Sequence, residues 1–330
     1  MHRRALPPAA PAARNPVTPR NALDFPSIRV LDGALATELE RRGCDLSGPL
    51  WSAHVLDHSP ATIVAIHLDY LRAGADCIST VSYQVSALGY RELSRPADDA
   101  SHALRHSVQI AEQARATYAG EDSRRIWIAA SLGPYGAALH NGAEYHGHYA
   151  IGFPDLVAFH AERFAILAHT SADLLALETI PSQPEAQSIL RALEPFPALT
   201  AWVSFTCRDA LHVAHGEPLR ACAELLASSP QIAAIGINCT APQHVEALIA
   251  EARAGSGDRK PVIVYPNSGE TWDAATRTWH GVSSASHYGA FARTWYAAGA
   301  HAVGGCCRTG PAHITAVAHA ARESVRATSA

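Results

Sequence analysis

Leu71-Arg72-Ala73-Gly74-Ala75-Asp76 joins a helical pattern, which stops at Gly74, to the short apolar run Cys77-Ile78-Ser79-Thr80-Val81. Similar junctions of small residues occur at Ala168-His169-Thr170-Ser171-Ala172-Asp173 and at Ala297-Ala298-Gly299-Ala300-His301. Each junction connects the end of a predicted helix to the start of the next predicted strand. This weak internal repetition indicates that one αβ unit is used several times in the chain.

Eight short apolar runs alternate with longer amphipathic stretches. As strands they cover residues 28–31, 76–81, 125–130, 174–178, 200–205, 232–238, 261–265 and 302–304. The alternation predicts parallel βα units and therefore an α/β fold. A single-domain (β/α)8 TIM-type barrel needs about 250 residues or more, and residues 25–330 supply them. A doubly wound open sheet is the alternative, and it is disfavoured because Asp32-Gly33-Ala34-Leu35-Ala36-Thr37 lacks the G-x-G-x-x-G phosphate loop.

The composition narrows the class of protein. The 330 residues carry a formal net charge of −4 and no sustained stripe of Lys and Arg, so nucleic acid is not expected as a partner. No run reaches the roughly 18 apolar residues of a membrane helix. Seven scattered cysteines do not resemble a disulfide framework and favour a reducing, cytoplasmic compartment. Residues 1–24, rich in Pro, Ala and Arg, are predicted to be a disordered tail, with an organelle transit peptide as the alternative.

The carboxyl ends of the predicted strands carry polar residues. A barrel of this class gathers its active site at those ends. They hold Asp32, Thr80 to Tyr83, Ser131 with Gly133, Glu178, Ser204 with Thr206, Asn238-Cys239, Tyr265 with Asn267, and Cys306-Cys307. We therefore expect the functional site on this face of the barrel.

Three of these strand-end residues are cysteines. Cys306 and Cys307 are direct neighbours after Gly304-Gly305, so they form either a strained disulfide or two ligands of one soft metal. Cys239 follows the sixth strand, and the ends of strands six and eight lie within reach across strand seven. Three thiolates around one ion leave a fourth tetrahedral position open, as in catalytic zinc sites, and thiolates suit zinc. Cys239 on its own would more often be a small buried hydrophobe.

Four stretches together resemble the homocysteine S-methyltransferase family. They are Leu31-Asp32-Gly33-Ala34-Leu35-Ala36-Thr37-Glu38-Leu39, Gly236-Ile237-Asn238-Cys239, Tyr265-Pro266-Asn267-Ser268-Gly269-Glu270 and Gly304-Gly305-Cys306-Cys307-Arg308. The resemblance covers about residues 28–325. It is closest to the branch that uses S-methylmethionine, through Leu50-Trp51-Ser52-Ala53 and Ser131-Leu132-Gly133-Pro134-Tyr135-Gly136.

The resemblance implies a zinc-dependent barrel enzyme whose Zn²⁺ ligands are Cys239, Cys306 and Cys307. It implies methyl transfer from S-methylmethionine, or less efficiently S-adenosylmethionine, to L-homocysteine, which gives methionine. No catalytic residue is expected beyond the metal site, because the leaving thioether is neutral and needs no general acid.

The same resemblance assigns substrate-binding residues. Glu178, with help from Asp32, is expected to hold the amino group of homocysteine, and backbone N–H groups near Gly33 or the Thr80 to Ser82 segment its carboxylate. Asn238 is a further substrate-binding candidate. Aromatic faces should attract the positively charged donor, and the candidates are Tyr83, Tyr135, Tyr265 and Trp272. The long 267–285 segment is expected to act as a lid.

Other functions stay open at this point. Within the class, the acceptor could be selenocysteine or selenohomocysteine, and the donor could be betaine. A non-catalytic protein with a structural zinc would need a fourth protein ligand, and none stands at motif spacing. A redox sensor with a Cys306–Cys307 disulfide would lose its active form under reducing conditions.

Overall fold

The computed structural model describes residues 27–46, 53–273, 278–280 and 284–328. The predicted tail, residues 1–24, lies outside these ranges. Seven parallel strands form one sheet in the order β1, β2, β3, β4, β5, β6, β9. They are β1 (Cys77–Ser79), β2 (Trp127–Leu132), β3 (Leu174–Ile180), β4 (Ala201–Phe205), β5 (Ile232–Asn238), β6 (Val262–Tyr265) and β9 (Ala300–Val303).

The ring is closed by two residues of the first apolar run. Val30 bridges to Val303 of β9, and Leu31 bridges to Cys77 of β1, both in parallel. The Leu31 N–H donates to the Val303 carbonyl over 2.9 Å, and the Asp76 N–H donates to the Val30 carbonyl over 2.8 Å. The predicted strand at 28–31 is thus reduced to a short closing segment, and with it the fold is a (β/α)8 TIM-type barrel.

Helices connect consecutive strands and surround the ring. They are α1 (Leu35–Arg41), α2 (Ala53–His58), α3 (Pro60–Ala73), α4 (Ala87–Glu92), α5 (Ala97–Tyr118), α6 (Tyr135–Ala138), α7 (Phe153–Leu167), α8 (Gln183–Leu193), α9 (Leu219–Ala227), α10 (Val245–Ser256), α11 (Ala285–Ala297) and α12 (Pro311–Thr328). No helix in the described ranges is both long and apolar enough to cross a membrane.

The junction at Gly74 shows why small residues recur there. Gly74 caps α3 in the left-handed conformation, with φ of 110°, which favours glycine. A Cβ atom on Gly74 would lie 2.7 Å from the Cβ of Ala318 in α12. The junction therefore needs glycine both for its turn and for the contact between neighbouring helices.

The aspartates that end two junctions fix the register of the barrel. Oδ2 of Asp76 accepts the backbone N–H groups of Arg29 and Val30, each over 2.9 Å. Oδ2 of Asp173 accepts the N–H of Ile128 over 2.9 Å. Each carboxylate thus joins the start of its own strand to the preceding strand, at the end of the barrel where the strands begin.

The inside of the ring is filled by alternate residues of the strands. One buried apolar cluster contains Ile28, Leu31, Cys77, Trp127, Ala129, Leu174, Ala176, Trp202, Ala234, Ile263, Tyr265 and Ala302. Because side chains alternate along a strand, Glu178 points inward, above Leu174 and Ala176. The interior is packed apolar material up to the level at which the polar strand ends begin.

A small hairpin follows β6. Its strands β7 (Thr271–Asp273) and β8 (Thr278–His280) pair antiparallel, with Trp272 opposite Trp279. The side chain of Trp272, residues 274–277 and residues 281–283 lie outside the described part. The lid function expected for 267–285 stays a prediction.

Candidate metal centre and substrate pocket

Three thiols meet at the end of the barrel where the strands finish. Sγ of Cys239 lies 3.7 Å from Sγ of Cys307, and the Cys306 and Cys307 sulfurs lie 4.0 Å apart. All three sulfurs are within 4.8 Å of one another, and all three residues are half-buried. Hydrogen bonds from Cys239 and Cys306 lower the pKa of Cys307. This set of ligand atoms can hold a metal ion.

Cys239 reaches the cluster from an unusual backbone conformation. It follows β5 with φ of 48°, a region that costs a residue with a side chain about 1 to 3 kcal/mol. The Thr206 hydroxyl donates to the Cys239 carbonyl over 3.2 Å, and the Cys239 N–H donates to the Tyr265 carbonyl over 3.4 Å. Contacts from the neighbouring strand ends thus hold the conformation.

Asn238, the residue before Cys239, acts between two strand ends. Its side chain is buried, accepts the Thr179 N–H through Oδ1 over 2.8 Å and donates to Thr179 Oγ1 over 2.9 Å. Thr179 also has a positive φ, of 61°. These contacts fix the backbone between Glu178 and the cysteines, and the substrate-binding role expected for Asn238 stays a prediction.

The two glycines before Cys306 let the chain pass against the closing strand. A Cβ on Gly304 would lie 2.5 Å from the Leu31 Cβ, and one on Gly305 would lie 2.4 Å from Thr309 Oγ1. The Gly305 N–H donates to the Asp32 carbonyl over 3.0 Å. No larger residue fits without displacing the Cys306-Cys307 pair.

Two carboxyl groups share the inside of the mouth. Asp32, only 6% exposed, accepts the Ser79 N–H through Oδ2 over 2.7 Å. Burial raises the pKa of Asp32 to about 8, hydrogen bonds from Ser79 oppose the rise, and the charge of Glu178 adds to it. Burial likewise raises the pKa of Glu178 to about 7. Hydrogen bonds from Ser131 and Tyr265 oppose this rise, and the charge of Cys306 adds to it. Neither carboxyl has an Arg or Lys partner among the described salt bridges.

The predicted residues Thr80 and Ser82 form part of the wall. The Thr80 hydroxyl accepts the Ser131 N–H over 3.0 Å and lies 2.6 Å from the Ser82 hydroxyl, which donates to the Ser131 carbonyl over 2.8 Å. Both hydroxyls are therefore used inside the protein. Gly33 is closely packed, since a Cβ there would lie 2.8 Å from the Tyr70 ring.

The predicted donor-binding aromatics occupy different places. Tyr83 packs against the end of β2, since a Cβ on Gly133 would lie 2.9 Å from its ring. Burial, and then the charges of Glu144 and Cys239, raise the pKa of Tyr83. Tyr265 forms the floor, where its hydroxyl accepts from Trp202 Nε1 over 3.0 Å and lies 2.7 Å from Ser204 Oγ. Tyr135 packs edge-on against Phe159 of α7 at 5.3 Å between ring centres. The structure does not bring Tyr135 to the three sulfurs.

Sequence reasoning missed Glu144 and Tyr145. They lie in a 3-10 turn, Ala143–Tyr145, within the connection between β2 and α7. The Tyr145 hydroxyl is 3.7 Å from Cys239 Sγ, while 53% of the residue is exposed. The sequence signal for these residues is the length of this connection at the functional face of the barrel.

A buried polar network anchors that connection. Glu185 of α8 is fully buried, accepts the Tyr135 N–H through Oε1 over 2.6 Å, and accepts the Tyr149 hydroxyl through Oε2 over 3.0 Å. His160 Nε2 lies 3.1 Å from Oε1 of the same carboxylate. The connection is thereby fixed on both sides of Glu144 and Tyr145.

Comparison with known proteins gives a consistent result. The family model described as Homocysteine S-methyltransferase matches residues 29–321. The chain belongs to this family. It is 46% identical over 313 residues to Homocysteine S-methyltransferase YbgG of Bacillus subtilis (strain 168), which covers 93% of this chain and 98% of that protein.

Two further relatives bear on the site of this family member. The chain is 40% identical over 304 residues to Selenocysteine Se-methyltransferase of Brassica oleracea var. italica, covering 87% of each chain. The metallated form of the homocysteine methyltransferase MmuM from Escherichia coli superimposes with a TM-score of 0.80 at 40% identity, over 90% of this chain and 97% of MmuM. The predicted family and barrel fold are confirmed.

Proposed function

We propose that this protein transfers a methyl group from a sulfonium donor to L-homocysteine, with Zn²⁺ held by Cys239, Cys306 and Cys307. The preferred donor is S-methylmethionine, and S-adenosylmethionine is used less efficiently. The observation that carries the proposal is the convergence of three thiols beside the Glu178 carboxyl at the barrel mouth. Membership of the homocysteine S-methyltransferase family supports it.

The cysteine cluster fits zinc by distance and by ligand type. Four ligands at tetrahedral angles and a Zn–S distance of about 2.3 Å imply sulfurs about 3.8 Å apart. The measured separations of 3.7 and 4.0 Å agree with that value. Thiolates also favour zinc over the harder divalent ions. The described cluster holds three protein ligands, which suits a substrate-binding site better than a closed structural one.

Glu178 and Asp32 provide the recognition of homocysteine. Their carboxyls lie inside the mouth without a cationic partner among the described residues. An incoming ammonium group would therefore favour the ionised form of these carboxyls and pair with them. Ser131 donates to Glu178 Oε1, and Ser79 donates to both oxygens of Asp32. These hydrogen bonds orient the carboxylates before substrate arrives.

The chemical step balances without a general acid. When bound, zinc holds a coordinated thiol in its deprotonated, nucleophilic form at neutral pH. The homocysteine sulfur attacks the methyl carbon and a new S–CH₃ bond forms. The donor's C–S bond breaks, its electron pair stays on the donor sulfur, and the thiol proton is released to solvent. With S-methylmethionine as donor, both products are methionine.

Product analysis with a panel of donors tests this function. The purified protein is incubated with homocysteine and S-methylmethionine, S-adenosylmethionine or betaine, with and without a strong zinc chelator. We expect methionine with S-methylmethionine at the highest rate, and loss of product after zinc removal. Activity that survives complete zinc removal would contradict the role of the cysteines. A zinc-loaded protein that is inactive with every donor would contradict the reaction.

Selenocysteine is the second candidate acceptor. The similarity to the Brassica oleracea var. italica selenocysteine Se-methyltransferase favours it, and the same carboxyls would hold its ammonium group. A competition assay with equal homocysteine and selenocysteine decides the preference.

All seven cysteines are free thiols in the structure, which supports the proposal of a reducing, cytoplasmic location.

A further inference from the structure

Glu144 has a carboxylate oxygen with no partner. Its Oε2 atom is buried and makes no hydrogen bond with the described residues. A buried carboxylate oxygen without a hydrogen-bond partner is costly. Burial also raises the pKa of Glu144. A positively charged ligand would remove this cost.

Glu144 lies on the cysteine side of the mouth. The next residue, Tyr145, places its hydroxyl 3.7 Å from Cys239 Sγ. The charges of Glu144 and Cys239 both raise the pKa of Tyr83, after the larger effect of burial. The Tyr145 ring thus stands beside the sulfurs, directly after Glu144 in the chain.

The position of Glu144 is fixed by the fold. A Cβ on Gly136 of α6 would lie 2.4 Å from the Glu144 backbone nitrogen, so the two backbones are in close contact. Glu185 binds Tyr135 before the turn and Tyr149 after it. The unpartnered oxygen therefore belongs to a rigid segment rather than to a loose surface loop.

We propose that Glu144, with the rings of Tyr83 and Tyr145, binds the positively charged sulfonium group of the methyl donor. This inference rests on the proposed function. A sulfonium has no hydrogen to donate, so it is recognised by opposite charge and by aromatic faces rather than by directed hydrogen bonds. The ammonium of homocysteine has its own carboxyls in Glu178 and Asp32, which leaves Glu144 for the donor.

The charge of the sulfonium disappears during methyl transfer, and this gives a kinetic signature. A carboxylate beside the sulfonium stabilises the bound donor more than the transition state. Removing its charge should therefore weaken donor binding without slowing the chemical step. A residue that only supports the fold would not separate KM from kcat in this way.

The test compares Glu144→Gln with wild type and with Glu162→Gln, an exposed acid on α7. Two ligands that differ in charge at sulfur are used at saturating homocysteine: S-methylmethionine as substrate and methionine as inhibitor. We expect Glu144→Gln to raise the KM for S-methylmethionine about tenfold, which is about 1.4 kcal/mol. The inhibition constant of methionine, the KM for homocysteine, kcat and the zinc content should stay within about twofold. Glu162→Gln should match wild type.

Three outcomes would overturn the inference. An unchanged KM for S-methylmethionine would show that Glu144 does not recognise the donor. Equal weakening of methionine and S-methylmethionine would mean that the sulfonium charge is not recognised. A fall in kcat with reduced zinc content would indicate a structural role. If wild type makes no methionine from any donor, the proposed function fails and this inference fails with it, whereas the first three outcomes leave the function intact.

Discussion

At the end of the barrel where the strands begin, Asp76 and Asp173 are paired with Arg124 and Arg115 at 3.1 and 2.7 Å. At the other end, Asp32 is buried and Glu178 is half-buried, and neither has a cationic partner among the described residues. The first pair also accepts backbone N–H groups that join neighbouring strands. Acidic residues therefore fix the register at one end of the barrel, and at the other end they are the groups proposed to bind substrate.

The contrast separates stability from function in physical terms. A carboxylate paired with Arg and with backbone N–H groups favours the folded state. A carboxyl buried without a cation disfavours the folded state, and the fold retains that cost where an ammonium or sulfonium is proposed to bind. Variants at the two ends should consequently fail in different assays.

The largest effect is expected at the metal centre. Cys239→Ser should reduce bound zinc from about one ion per chain to below about 0.1, and activity by at least about 1,000-fold, because a direct ligand matters more than the outer contacts that cost 10- to 100-fold. Metal analysis and methionine formation measure both. Cys44→Ser, at a half-buried cysteine away from the cluster, should retain zinc and activity. Full zinc binding by Cys239→Ser would refute the site.

The next effect concerns the opposite end. Asp76→Ala leaves the Arg29 and Val30 N–H groups and Arg124 without their carboxylate, so unfolding in urea should require about 2 to 4 kcal/mol less free energy. The KM for homocysteine should be unchanged in the folded enzyme. Glu121→Ala, which removes an exposed pair with Arg72, should leave the free energy of unfolding nearly unchanged. A raised KM for homocysteine in Asp76→Ala, with an unchanged free energy of unfolding, would contradict the separation of stability and function between the two ends of the barrel.

The smallest effect is a pH dependence. Burial raises the pKa of Asp32 from 3.8 to about 8, so the folded state holds this proton more tightly than the unfolded state. Stability from this group is present at low pH and is lost as pH rises toward 8. The comparison is between metal-free Asp32→Asn and metal-free wild type. The difference in their free energies of unfolding, variant minus wild type, should grow by about 1.4 kcal/mol per pH unit between pH 5.5 and 7.5.

Urea unfolding at several pH values measures the slope for Asp32→Asn. Asp98→Asn, at an exposed position in the first turn of α5, should give a flat difference over the same range. A flat difference for Asp32→Asn as well would mean that Asp32 is ionised in the free protein. The contrast between the two ends would then rest on Glu178 alone.

The strands could be predicted where apolar residues run without interruption. The expected strands at 174–178 and 200–205 correspond to Leu174–Ile180 and Ala201–Phe205. The strand expected at 76–81 ends early, at Ser79, and beyond its end the hydroxyls of Thr80 and Ser82 hydrogen-bond with the backbone of Ser131. The strand at 28–31 contributes only two bridge residues. Such changes depend on neighbouring strands, which a single run of residues does not specify.

The candidate site could likewise be predicted from the sequence only in part. The three cysteines could be placed together because strand order alone brings the ends of the strands to one face. The direction of Tyr135 and the importance of Glu144 could not be predicted, since both depend on how Glu185 of α8 holds the β2–α7 connection. That buried carboxylate is far from both residues in sequence, and no local motif points to it.

The short closing segment has a consequence for how the protein is made. Val30 is synthesised more than 270 residues before its bridge partner Val303 and the cysteines at 306 and 307. Until those residues leave the ribosome, the nascent sheet keeps two open edges and only one of the three thiols. The candidate metal site therefore assembles only when the ring closes.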